Sequence, residues 1–188
     1  MIRRIVALLV VLAGTAGLSG CGGGSSLPRL PPANQTTYTL DAGDKLQLTV
    51  FGEPRLTGTY MVADNGQVSM PLVGSVGARG LTVNEFQKGV VSELQRQNLV
   101  LNPGVSVQVE QFRPFFILGE VDKPGQYPYV EGMTVLTAAA IAGGFTFRAN
   151  KMTVSVTRKI NGKTVEYKAT RESQILPGDV INVFESYL

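Results

Sequence analysis

The feature that most constrains how this chain can fold is the density of turn-forming residues between Phe115 and Asn150, in the run FFILGEVDKPGQYPYVEGMTVLTAAAIAGGFTFRAN. The apolar run Phe115-Phe116-Ile117-Leu118 stops at Gly119, which suits a short buried strand better than a helix. Pro124-Gly125 predicts a type II turn, because proline presets φ at one central position and glycine accepts the positive φ at the next. Tyr127 and Tyr129 alternate with Gln126 and Pro128 as a second short strand. Thr134 is placed to cap a small helix over Val135-Leu136-Thr137-Ala138-Ala139-Ala140-Ile141, and Gly143-Gly144 supplies the left-handed residue that ends it. A chain interrupted this often cannot build long helices. Its 22 glycines and 10 prolines, set among short apolar alternations, point to an α+β, strand-rich fold of small units.

The same grammar precedes and follows this run. Gly43-Asp44 is a turn signal, and Leu46, Leu48 and Val50 beyond it form one face of a strand. Tyr60 to Ala63 and Gln67 to Leu72 flank Asn65-Gly66, the preferred pair for a tight type I′ hairpin. Thr82, three residues before Glu85, makes a capping box for a helix with Val83, Phe86, Val90 and Leu94 on one face. Gly89 in its middle either permits close approach or is merely tolerated. Val105, Val107 and Val109 form a further strand, as do Val154 and Val156, and Asn161-Gly162 turns the chain toward Val165 and Tyr167. The segment Leu176-Pro177-Gly178-Asp179 then repeats the glycine-aspartate strand entry of Gly43-Asp44.

The first residues read differently. Arg3-Arg4, the apolar run Ile5 to Leu12 and Leu18-Ser19-Gly20-Cys21 have the layout of an export signal, too short for a conventional membrane span. The Leu-Ser-Gly-Cys ending resembles a bacterial lipobox, which implies that Cys21 takes a diacylglyceryl thioether and anchors the protein to a membrane without crossing it. Gly22, where an aspartate would signal inner membrane retention in known lipoproteins, implies the outer membrane. Residues 22–37, rich in glycine, serine and proline, read as a flexible tether reaching at most roughly 50 Å.

On these residues two family resemblances rest. The string GEVDKPGQYPYVEGMTVLTAAAIAGGFTFRAN resembles the SLBB module, a β-grasp domain named for soluble-ligand binding, as it occurs in outer membrane polysaccharide export proteins of the Wza type. The preceding YTLDAGDKLQLTVFGEPRLTGTYMVADNGQVSMPLVGSVGARGLTVNEF resembles the polysaccharide biosynthesis/export domain, in the order those exporters use. Residues 1–20 then form a lipoprotein signal peptide, 21–37 the lipidated cysteine and tether, 38–111 the export domain and 112–188 the SLBB domain. Gly43, Asp44, Gly66, Gly119, Pro124, Gly125, Gly143, Gly144, Pro177, Gly178 and Asp179 are the structural positions of these motifs. The resemblance implies a periplasm-facing outer membrane lipoprotein that assembles as a homo-oligomeric ring around a capsular polysaccharide or exopolysaccharide chain. Its implied partner is an inner membrane polysaccharide co-polymerase, often linked to a tyrosine kinase. The archetypal exporter continues past its SLBB modules into an amphipathic pore helix, whereas this chain stops at Leu188 after one evident module. The expectation is therefore a periplasmic part of the conduit working with a separate outer membrane β-barrel.

Composition excludes several other chemistries. With no histidine and one cysteine, neither a disulfide framework nor a His or Cys metal cluster is available. Once Arg3 and Arg4 are set aside, the 17 basic residues become 15 against 14 acidic ones, which gives no electrostatic case for nucleic acid. Asp41, Asp44, Glu53, Asp64, Glu120, Asp122 and Glu131 offer many carboxylate pairs but no catalytic motif, and most sit beside Gly or Pro where turns explain them. No phosphate loop or nucleophile elbow is present, so neither catalysis nor a cofactor is expected. A cation at Gly43-Asp44 or Gly178-Asp179 would lack a complete oxygen shell. Phe112, Phe115, Phe116, Tyr127, Tyr129, Phe145 and Phe147 are candidates to stack on sugar rings, although alternation sends many of them inward. Glu120, Asp122, Arg113, Lys123 and Arg148 read equally well as complementary edges between subunits or as solvated surface. The alternative reading is a monomeric glycan- or small-ligand-binding SLBB module.

Overall fold

Strand β1 (Lys45–Val50) buries Leu46, Leu48 and Val50 completely or nearly so, as its alternation requires. It lies between β2 (Gly58–Met61) and β5 (Val105–Gln111), both antiparallel to it, with Leu46 opposite Tyr60 and Val109. The computed structural model that shows this describes residues 27–32, 37–160 and 162–186; the expected signal segment, Cys21 and Asn161 lie outside the described residues. Two short strands, β3 (Gln67–Met70) and β4 (Gly74–Gly77), form a separate ribbon. Helix α1 (Val83–Arg96) lays Phe86, Val90 and Leu94 into the same core. Its capping box forms: the Glu85 N–H donates to Thr82 Oγ1 at 3.2 Å, and the Thr82 N–H donates to the Glu85 carboxylate at 2.8 Å.

Gly89 is not needed for packing, since a Cβ there would lie 3.9 Å from Val76 Cγ1, an ordinary contact. Gly89→Ala is therefore expected to stabilise the protein by about 0.5–1 kcal/mol, seen as a higher urea midpoint at unchanged slope. A lower midpoint would show that the neighbouring ribbon has no room for a methyl group.

The Asn65-Gly66 turn departs from the type I′ expectation. The Gly66 N–H donates to Ala63 O at 2.8 Å and the Ala63 N–H to Gln67 O at 2.9 Å, closing a three-residue loop in which Gly66 has φ +80 and Asn65 is not left-handed. This is a type I turn with a glycine bulge, the next commonest hairpin loop. The strands then diverge, because β2 pairs with β1 while β3 pairs with β4.

The second unit is a mixed five-stranded sheet in the order β7 (Gly125–Tyr127), β6 (Phe115–Gly119), β10 (Val180–Glu185), β8 (Ala149–Ile160), β9 (Lys163–Ala169). Only β6 and β10 are parallel. Helix α2 (Val135–Ile141) covers one face, and its buried Ala138 and Ala139 let the helix approach the sheet closely. Phe115 and Ile117 point into that core, while Phe116 and Leu118 lie on the opposite, exposed face, so β6 is half-buried rather than fully buried. Gly125 has no positive φ: it opens β7 opposite Ile117, which corrects the type II turn expected at Pro124-Gly125. The left-handed glycine leaving β6 is Gly119, with φ +83.

Part of the expected tether is docked. The Leu30 N–H donates to Lys168 O at 2.9 Å and the Lys168 N–H to Pro28 O at 2.8 Å, so this segment runs parallel to the free edge of β9. Leu30 packs on the second core. An edge strand offers unpaired backbone groups, and an apolar side chain beside it completes the attachment. No helix among the described residues is long and apolar enough to cross a membrane.

Candidate functional site

The two glycine-aspartate turns meet the segment Phe112-Arg113-Pro114 that joins the cores. In each, the aspartate N–H donates to the carbonyl three residues earlier, Asp41 O at 3.3 Å or Leu176 O at 3.1 Å. The aspartate carboxylate in turn accepts that residue's N–H, from Asp41 at 2.9 Å or from Leu176 at 2.8 Å. Gly43 and Gly178 take φ of +92 and +84, the left-handed third position of a type II turn. Ala42 and Pro177 precede them.

Each turn holds one arginine. Asp44, fully buried, accepts the Arg113 N–H at 2.9 Å, Arg113 Nη1 at 2.9 Å and the Tyr38 hydroxyl at 2.6 Å. Asp179, 1% exposed, accepts Arg158 Nε at 2.9 Å and Nη2 at 2.7 Å. These carboxylates therefore hold arginines, and among the described residues no cluster of His, Cys, Asp or Glu is placed to bind a metal ion. Arg113 also lies 5.4 Å from the centre of the Tyr38 ring, a cation–π distance. Burial, then the adjacent Asp44 carboxylate, push the Tyr38 hydroxyl well above its ordinary pKa.

Asp41 adds a second tie across the units, accepting Lys159 Nζ at 3.1 Å and Arg79 Nε at 2.7 Å. Burial alone would raise its pKa, but the Ala42 N–H, Arg79 and Lys159 outweigh it and hold the carboxyl down to about 2. A depressed carboxyl contributes stability that is present above its ordinary value of 3.8 and is lost as pH falls toward 2. Asp41→Asn is thus expected to lower the urea midpoint at neutral pH and to flatten its decline between about pH 4 and 2. Parallel midpoint curves for the two proteins across that window would overturn this.

A cleft of about 510 Å³ lies beside this junction, lined by Tyr38 and Phe112 on one side and by Tyr129, Glu131, Gln174 and Pro177 on the other. Phe112 meets Tyr38 and Tyr129 edge-on, with centroids 5.2 and 5.5 Å away. A smaller cavity of about 270 Å³ shares Tyr38, Leu176 and Pro177 with it and is bordered by Arg113, Arg158 and Lys159.

Of the aromatic candidates, only Phe112 and Tyr129 line the cleft. Tyr127 stacks on Phe115 at 6.0 Å, Phe145 packs on the second core, and Phe116 and Phe147 are exposed elsewhere. The proposed subunit edges also change, because Arg113 and Arg148 find partners within the chain, Asp44 and Glu185, and Glu120 accepts Thr146 Oγ1 at 2.5 Å. The remaining motif glycines are turn positions: Gly66, Gly143 and Gly144 all have positive φ, and Asp122 packs against Gly143. Arg158 and Lys159 escaped the sequence reading, although Arg158 continues the inward parity of Val154 and Val156 and so stood out as a charge on a core-facing position.

Residues 32–110 match the polysaccharide biosynthesis/export protein family, and residues 114–169 match the SLBB domain. Exopolysaccharide production protein ExoF of Rhizobium meliloti is 34% identical over 152 residues, which cover 75% of this chain and 34% of that protein. The EPS I polysaccharide export outer membrane protein EpsA of Ralstonia nicotianae is 28% identical over 149 residues, covering 77% and 39%. Polysialic acid transport protein KpsD of Escherichia coli is 28% identical over 109 residues, covering 57% and 19%. The chain thus spans well under half the length of these relatives.

Proposed function

The chain belongs to the polysaccharide biosynthesis/export family, with the export domain ahead of an SLBB domain, and from this we propose that it is a periplasm-facing outer membrane component of a polysaccharide export conduit. The observation that carries the reading is the ordered pair of domains that this chain matches, together with its similarity to relatives named for exopolysaccharide production, polysaccharide export and polysialic acid transport. In this proposal Cys21 carries the lipid anchor and copies of the chain form a ring, whose closed symmetry surrounds a polymer without leaving a free assembly edge. The cargo is a capsular polysaccharide or exopolysaccharide handed over by an inner membrane co-polymerase. The role is conduction rather than catalysis: the buried carboxylates Asp44 and Asp179 are engaged by arginines, an arrangement that favours structure over acid–base work.

The test compares a deletion strain with its parent, assaying secreted and periplasmic polysaccharide separately. Loss of secreted polymer, restored by the intact gene but not by Cys21→Ala, is the expected result. Unchanged secretion would overturn the conduit. The cleft between the cores favours a second reading, a monomeric glycan-binding module, which a monomeric solution mass together with one-to-one saturable binding would support.

A further inference from the structure

The smaller cavity at the junction is lined by guanidinium donors that structural pairing alone leaves partly unused. Three cationic side chains, Arg113, Arg158 and Lys159, line it beside two carboxylates, Asp41 and Asp179, while the third carboxylate, Asp44, is fully buried against Arg113. Arg158 is 3% exposed, yet its Nη1 has no hydrogen-bond partner among the described residues. A buried donor without a partner is costly, and each such group in a folded protein calls for an explanation. Arg113 points the same way. It uses its backbone N–H and Nη1 on Asp44, Tyr38 and Thr39, while no hydrogen bond among the described residues uses Nε or Nη2, the edge with which a guanidinium grips an oxyanion through two parallel bonds. Gly178 sits against that edge: a Cβ there would lie 2.8 Å from Arg113 Nε. Lys159, half exposed, stands at the border of the cavity with a single bond to Asp41.

We propose that this cavity is a binding site for an oxyanion carried on a saccharide, a uronate carboxylate or a sugar phosphate, held by the free edge of Arg113 with Lys159 supplying a further donor and the buried Arg158 adding its positive charge to the wall. The sugar ring is assigned to the adjoining aromatic cleft, with which the cavity shares Tyr38 and Pro177. An aromatic wall and a cationic pocket side by side select a ring with an acidic substituent over a neutral ring. The saccharide half of the assignment rests on the export reading, whereas the oxyanion half rests on the side chains alone.

Isothermal titration of the full chain, purified in detergent, tests it with four probes: a glucuronate-containing tetrasaccharide, a neutral glucose tetrasaccharide, glucose 1-phosphate and inorganic phosphate. Saturable binding of one acidic saccharide per chain, at least about tenfold tighter than the neutral one, is expected. Lys159→Gln, which removes one half-exposed tie to Asp41 but leaves it Arg79 and the Ala42 N–H, is expected to lower the urea midpoint only slightly and to weaken binding about fivefold or more. Preference for glucose 1-phosphate over the glucuronate probe supports the site and assigns it to phosphate. Inorganic phosphate binding as tightly as either acidic sugar overturns the saccharide half. Equal binding of acidic and neutral probes, no binding of any probe, or indifference to Lys159→Gln overturns the site. Should these occur while the deletion strain still loses secreted polymer, the export reading stands without the site; persistent secretion with acid-selective binding leaves the site without that reading.

Discussion

Asp179→Ala is expected to lower stability by about 3–5 kcal/mol, because it strands the Arg158 guanidinium in the second unit with only the Gln174 carbonyl, at 3.3 Å, as an acceptor. Burial pushes the Asp179 carboxyl above its ordinary range and Arg158 pulls against that, so each partner offsets the other's desolvation. The Leu176 N–H loses its acceptor in the same substitution, which loosens the turn entering β10. Replacing both partners, Asp179→Asn with Arg158→Met, is expected to recover part of the loss, since the amide oxygen still accepts from Leu176 and no buried charge remains. Urea denaturation of the wild type, the two single variants and the double variant measures the coupling. Additive losses would show that the pair acts as two independent groups.

Gly119→Ala is expected to cost about 4 kcal/mol or more, among the largest effects a single methyl group can have. Its φ of +83 alone charges an L-residue about 1–2 kcal/mol. The larger part is steric: the new Cβ would sit 2.1 Å from Val183 O and 3.0 Å from Asn182 Oδ1. Val183 O is backbone in the parallel ladder of β6 and β10, and it accepts the Glu120 N–H at 3.0 Å, so it cannot withdraw without opening the centre of the sheet. Gly144→Ala is the control. That glycine has φ +98 but nothing within 4 Å of an added Cβ, so only the conformational cost of about 1–2 kcal/mol should appear. Equal losses at the two positions would refute the steric argument, and hydrogen exchange at the β6 and β10 amides would show whether the damage is local to that ladder.

The elements governed by near neighbours were legible in the amino-acid order. Leu46, Leu48 and Val50 alternate because one face of β1 is buried, and Thr82 with Glu85 sets the start of α1 because the cap lies within one turn. Thr134 and Gly143 bracket α2 for the same reason. What local pattern does not encode is which partner a strand or charge finds across the chain. Asn65-Gly66 announces a reversal, but whether β2 pairs across it or with β1 depends on competition between two ladders. The likeness of Gly43-Asp44 to Gly178-Asp179 was visible as a repeat; that each holds an arginine was not, since Asp44 and Arg113 are 69 positions apart. The cleft was hidden for the same reason. Tyr38 opens the first unit, Phe112 lies in the segment that joins the two, and Tyr129 belongs to the second.

The docking of residues 28–30 on β9 also decides where a mechanical load enters the molecule. Tension applied to the chain ahead of residue 27 is resisted first by the two backbone bonds to Lys168 and the seated Leu30 side chain, all on the second unit. The first unit, although it comes next along the chain, is bypassed by that force path. Because the segment runs parallel to β9, a pull along the strand loads those bonds in shear, together, and a pull away from the sheet edge peels them one after the other.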